Sequence, residues 1–369
     1  MAPVNVAEET IEWLRTEQLR ADERWSYLLP TGFSWWADQY LQTIEILGEE
    51  TGPAGESGYL VCVRTELLRD LDLTDAVLEQ INALPMRCAA LAGPVYDAAA
   101  RRLDLWSLVR VTDDNGPWIR YLLGAAAVTQ LAEAQMLAPT LAGATGARTA
   151  VSEHPESGPR AEPDRMTFAA GVFVNAGDGP CEWSPGEFRD AVTEFMNQPP
   201  ASDACVEGDG VAIEFPFGGT TSLCRILGDQ PHPLYGNGLL VLQRFPMEIA
   251  ETSDGIRLAM SLNAADLTKQ ATGYGLGSYV YADGAVYFNG FIPNALYKPA
   301  LLANVYASCA ARAQSMAARF TEGTWDPDAV SLDVAVLARR ADQRRAAATV
   351  VERPLRGCPM MARAKAGES

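Results

Sequence analysis

Seven cysteines, two histidines and several acidic pairs are the side chains of this 369-residue sequence best suited to chemistry. A structural zinc needs closely spaced soft ligands, and Cys62, Cys88, Cys181, Cys205, Cys224, Cys309 and Cys358 contain no C-x-x-C pair. Odd in number and widely spaced, they fit reduced, mostly buried thiols in a cytoplasm. His154 falls in a Pro/Gly-rich stretch and His232 in a hairpin turn, so neither anchors a metal set. Glu49/Glu50, Asp70/Asp72 and Asp113/Asp114 lie in expected turns and lack the oxygen spacing of a calcium loop. The run Gly273-Tyr274-Gly275-Leu276-Gly277 follows an expected helix and opens a strand, the reverse of a dinucleotide fingerprint. There is no nucleophile elbow and no phosphate-binding loop. The expectation is therefore no catalytic, metal-binding or cofactor-binding residue, and no cofactor.

Aromatic residues carry more information, because of a repeat. Ile46 to Arg64 reads ILGEETGPAGESGYLVCVR, and Ile226 to Arg244 reads ILGDQPHPLYGNGLLVLQR. At a 180-residue offset the two segments share eight of nineteen residues without a gap, where composition alone gives roughly one or two. Both have the apolar-turn-apolar pattern of a β-hairpin, so convergence of local hairpins is one explanation and duplication of a module the favoured one. In that register Trp35 pairs with Phe215, Trp36 with Pro216 and Ala37 with Phe217. Successive strand residues point to opposite faces, so Trp35, like Phe215 and Phe217, is expected in the core. Trp36 then falls on the other face, with Tyr40, where it is either covered by the other half or offered to a partner. Pro216 marks an edge strand.

Periodicity supplies the elements that must hold these residues. A helix over 8–20 precedes strands over 33–40, 43–47 and 59–63. A helix capped by Asp72 or Thr74 runs to about Asn82, then come strands over 89–96 and 103–111, and an Ala-rich helix from Pro117 to about Met136. The second half repeats the order, from a capping box at Ser184-Pro185-Gly186-Glu187 to a helix from Pro299 to about Arg319. Each half reads α-β-β-β-α-β-β-α, and Ile81-Asn82-Ala83 recurs as Leu262-Asn263-Ala264. The expected division is module 1 over 1–142, a linker over 143–180, module 2 over 181–322, and a C-terminal helix with a basic tail over 323–369. That tail holds Arg339, Arg340, Arg344 and Arg345. It reads either as a solvated, frayed end or as a basic arm folding back on the acidic body.

A net charge of −18 argues against nucleic acid as partner, since phosphates would be repelled. The most apolar long stretch, Tyr121 to Gly146, contains Gln130, Glu133 and Gln135, which argues against a membrane span. The start MAPVNVAEETIEWL lacks a basic flank and apolar signal core, so a cytoplasmic location is expected.

The doubled element order, with Leu262-Asn263 and the hairpin Tyr279-Val280-Tyr281/Val286-Tyr287-Phe288, resembles the type III secretion chaperone-like fold and its YbjN relatives. That resemblance implies an α+β tandem duplication forming an internal pseudo-dimer. It also implies a non-catalytic, chaperone-like or regulatory adaptor that binds a protein or peptide segment. Expected partner-binding residues are Trp36, Tyr40, Trp35, Phe215 and Phe217, using apolar grooves or sheet edges. The oligomeric expectation is a monomer with internal pseudo-symmetry or a weak homodimer. The alternative is a small-molecule sensor or enzyme with a pocket between the modules.

Overall fold

The computed structural model describes residues 5–51, 57–87, 90–174, 183–196, 206–207, 210–217, 219–247, 249, 251–265, 274–298 and 301–321. Within these residues the protein is mixed α+β, with two antiparallel sheets and seven α-helices. The first half runs α1 (Val6–Trp13), β1 (Ser26–Leu29), β2 (Gly32–Trp36), β3 (Leu41–Thr51), β4 (Ser57–Arg69), α2 (Asp75–Arg87), β5 (Gly93–Asp97), β6 (Arg102–Val111) and α3 (Gly116–Thr145). Then follow β7 (Arg148–Thr149) and α4 (Arg165–Val174). The second half begins α5 (Pro185–Met196), β8 (Val206–Glu207), β9 (Gly210–Phe217), β10 (Thr220–His232) and β11 (Gly236–Phe245). It continues α6 (Thr252–Asn263), β12 (Tyr274–Gly275), β13 (Ser278–Ala282), β14 (Ala285–Pro293) and α7 (Leu301–Thr321).

Local chemistry explains the main boundaries. Asn5 and Glu8 close a capping box on α1, and the helix continues as a π-turn over Leu14–Gln18. At the other end of the half, Pro117 sits in the first turn of α3 and Gly146, at φ +74°, closes it. This helix overruns its expected end at Met136 and passes through Pro139, because Leu137, Ala138 and Leu141 are buried against the body. The hairpin joining β13 to β14 turns on Asp283 and Gly284, both at positive φ, which suits its two-residue loop.

Strand order is the same in both halves: β2-β3-β4-β6-β5 in the first and β9-β10-β11-β14-β13 in the second. Pairing registers also coincide at the 180-residue offset. Trp35 faces Gln42 as Phe215 faces Ser222, and Ile46 faces Val61 as Ile226 faces Val241. The helices of both halves lie over one continuous apolar core. β12 leaves its own half and pairs with β6, placing Tyr274 opposite Val109.

The halves meet along α2, α6 and the edge strands β5 and β13. Asn82 of α2 donates to Tyr281 O at 2.7 Å and accepts from Tyr281 N at 2.8 Å, so its amide takes the place of a neighbouring strand. Asn263 of α6, the residue matched to Asn82 in the repeat, donates to Pro94 O of β5 at 3.0 Å. It also accepts from Tyr279 N at 2.6 Å. Each inner sheet edge is thereby hydrogen-bonded by an asparagine, which answers the exposure problem of an edge strand.

The expected 143–180 linker begins inside α3, and its described part is bound to the first half. Ala150 N donates to Leu67 O at 3.0 Å, Ser152 N to Gln39 O at 2.9 Å and Asp164 N to Ala37 O at 2.6 Å. The basic tail, including Arg339, Arg340, Arg344 and Arg345, lies outside the described residues.

Candidate functional site

At the outer edge of the first sheet, Ser26-Tyr27-Leu28-Leu29 forms β1, a short strand turned back onto β2 by Pro30-Thr31. Gly32 permits this hairpin to lie close to β3, since a Cβ there would fall 2.0 Å from Ile44 O. β1 pairs with β2 on one side, and among the described residues no strand pairs with its other side. Paired residues share a face, so Leu28 lies on the side of Phe33 and Tyr27 on the side of Ser34 and Trp36. Phe33 is fully buried, whereas Leu28 is 71 % exposed.

Beside the strand lies an open cleft of about 320 Å³, lined by Glu23, Arg24, Ser26, Tyr27, His154, Pro155, Glu156 and Ser157. One wall is β1 and the short turn before it. The other is the tight turn at His154, whose backbone exchanges two hydrogen bonds with Gly158. His154 Nδ1 accepts from the amides of Glu156 and Ser157 at 3.2 and 3.1 Å, so the ring proton sits on Nε2. Buried Nε2 has no hydrogen-bond partner among the described residues. The ring meets Trp36 edge-on at 5.2 Å, and Tyr27 lies 5.9 Å from Trp36, so three aromatic rings underlie the cleft.

Arg160 fastens this wall. Its guanidinium donates to Trp36 O at 2.8 Å and Asp164 at 2.9 Å, and it stacks over Trp25 at 4.8 Å. Trp36 Nε1 donates to Ser152 Oγ at 3.0 Å. Next to this wall, burial pushes the Asp38 carboxyl up, against the lowering effect of hydrogen bonds from Tyr40 N and Gln135.

All five expected partner-binding aromatics are buried. Trp35 is in the core, its indole donating to Gln42 at 3.0 Å, and Phe215 and Phe217 occupy the core of the second half. Trp36 lies on the opposite face, as the alternation requires, but the cover is the segment around Ser152–Arg160 rather than the other half or a partner. Tyr40 is shielded by the same segment through its bridge to Val151. The exposed large apolar side chains at this edge are Tyr27 and Leu28. Their sequence signal is the short apolar run before Pro30-Thr31-Gly32. His154, set aside in the sequence for lack of metal-ligand spacing, proves to shape the cleft wall.

Both halves also bury a polar ladder between the central strands and the last helix. In the first, Gln42 Nε2 donates to Thr65 at 2.8 Å, Thr65 to Gln130 at 2.8 Å and Gln130 to Ser107 at 2.8 Å. In the second, Gln243 Nε2 donates to Cys309 O at 2.8 Å and its Oε1 accepts from Arg312 at 3.3 Å.

No family model matches the chain, and comparison with curated proteins and with solved structures gives no match. No helix among the described residues is long and apolar enough to cross a membrane.

Proposed function

We propose that the chain is a duplicated module of the type III secretion chaperone-like kind, closed on itself as a pseudo-dimer. In this reading it is a non-catalytic adaptor or regulator, working in the cytoplasm, that takes a protein segment as an added strand. Duplication is supported by the shared strand order, the coincident registers and the matched pair Asn82/Asn263. The binding role rests on one observation: β1 leaves its outer edge open beside a cleft, with Leu28 71 % exposed. An extended segment laid along β1 gains main-chain hydrogen bonds, while Leu28 and the cleft select its side chains. The cleft lies within the first half, so it does not favour a ligand held between the modules.

Leu28→Lys tests the edge. Leu28 is exposed, so the substitution should leave stability within about 0.5 kcal/mol of the parent. Recovery of protein partners in a pull-down should fall by roughly tenfold or more, as for loss of an interface anchor. Glu251→Lys, at an exposed position in the second half, serves as the control. Equal recovery by the parent and Leu28→Lys, or recovery of nothing but the bait, overturns the reading.

A further inference from the structure

Arg312 of α7 is 2 % exposed, and among the described residues no carboxylate pairs with it. Its Nη1 donates to Gln243 Oε1 of β11 at 3.3 Å and to Cys309 Sγ at 3.7 Å. The guanidinium also stacks on the Phe288 ring of β14 at 3.5 Å. Both recorded hydrogen bonds use Nη1, so the N–H donors of Nε and Nη2 have no acceptor among the described residues. Gln243 offers a dipole and Phe288 a quadrupole, which lower the cost of burying the charge without cancelling it.

The first half solves the same position with no charge at all. There α3 presents the neutral Gln130, which donates to Val63 O at 3.0 Å and Ser107 Oγ at 2.8 Å. Val63 is the residue 180 before Gln243. An arginine at this place in the second half therefore calls for a counter-charge that the first half does not need.

Beside the guanidinium lies a cavity of about 10 Å³, walled by Arg312 and Phe288 together with Val241, Leu276, Ile292 and Val305. This is room for about one water-sized particle. A water there accepts from the guanidinium but leaves its charge uncompensated. A phosphate, sulfate or carboxylate has too many atoms for the space. A single halide ion meets both conditions, and aliphatic walls favour a halide that sheds its water readily. We propose that this cavity holds one chloride ion, with Arg312 as its counter-charge. The chain's net charge of −18 repels anions at long range. Coulomb energy falls with distance and salt screens exposed carboxylates, so the guanidinium in contact outweighs it. The ion then belongs to the packing of α7 on β11 and β14, and its occupancy stabilises the native chain.

Melting of the full chain in sodium chloride and in sodium gluconate, at matched ionic strength, tests the site. Gluconate is too large for the cavity. A ligand of the native state stabilises it by mass action, so the melting midpoint should rise with chloride and level off. The rise should be on the order of 3 °C at tenfold excess over the dissociation constant. Arg312→Gln, which installs the amide found in the first half, should abolish it. The proposal is overturned if the parent melts at one temperature in both salts, or if Arg312→Gln keeps the whole rise. Crystals of the unmutated chain grown in sodium bromide decide the matter even should the variant misfold. An anomalous-scattering peak against the Arg312 guanidinium is expected, and a map without one overturns the site.

Discussion

Tyr235 joins a buried and a half-buried titratable side chain where the halves meet: its hydroxyl donates to Glu133 Oε1 at 2.9 Å, and its ring stacks on His232 at 4.8 Å. Glu133 Oε1 also accepts from Ala90 N at 3.1 Å, while Oε2 has no partner among the described residues. Burial raises the carboxyl to about 8, with the two hydrogen bonds opposing the rise. A carboxyl raised on folding gives its full stability below the unfolded value near 4.5 and loses it as pH climbs through about 8. Glu133→Gln keeps the acceptor and removes the ionisation. The variant should therefore gain on the parent from pH 5 to 8, by on the order of 1 kcal/mol per pH unit. Urea titrations at several pH values check it, and parallel curves for the two proteins would sink it. His232 acts in the opposite sense. Burial lowers it to about 4, so its contribution is present above the unfolded value near 6.5 and lost as pH falls through about 4.

Among the elements, α2 and α6 do more than cover the sheets, since each supplies the asparagine that occupies an edge strand. Asn82→Ala leaves Tyr281 N–H and C=O without those partners at a half-buried position, and should cost about 1–3 kcal/mol. Thermal unfolding checks the value, and an unchanged midpoint would remove Asn82 from the interface energetics. Much of this level was legible in the sequence. Alternating apolar residues marked the central strands, the repeat aligned β3-β4 with β10-β11, and Trp35 was assigned to the core by its pairing with Phe215. The cover over Trp36 was not legible. It depends on Arg160 reaching Trp36 O and on Ser152 meeting the indole, contacts that cross more than a hundred residues of sequence. A stretch rich in Gly, Ser and Pro carries no periodicity from which such docking could be read. The same limit hid the polar ladder of Gln243, Cys309 and Arg312, because its helix and strand converge only in the folded chain.

At the scale of the whole molecule, the two halves share main-chain pairing as well as side-chain contacts. β12 adds to β6, Phe291 N donates to Ala90 O at 3.0 Å and Asn289 Nδ2 donates to Pro85 O at 2.8 Å. A protease site placed between Asn175 and Gly179 should therefore yield two fragments that still co-elute in native size-exclusion chromatography. Separation of the fragments without denaturant would contradict the shared pairing. The pairing of β12 with β6 also fixes a timetable for synthesis. Until Tyr274 and Gly275 have left the ribosome, β6 is paired with β4 alone at Leu108 and Val109, although every other strand of that sheet has already emerged. A nascent chain halted in that interval presents an unfinished rim to neighbouring polypeptides, and translation speed across the second half becomes a determinant of how much protein reaches its native form.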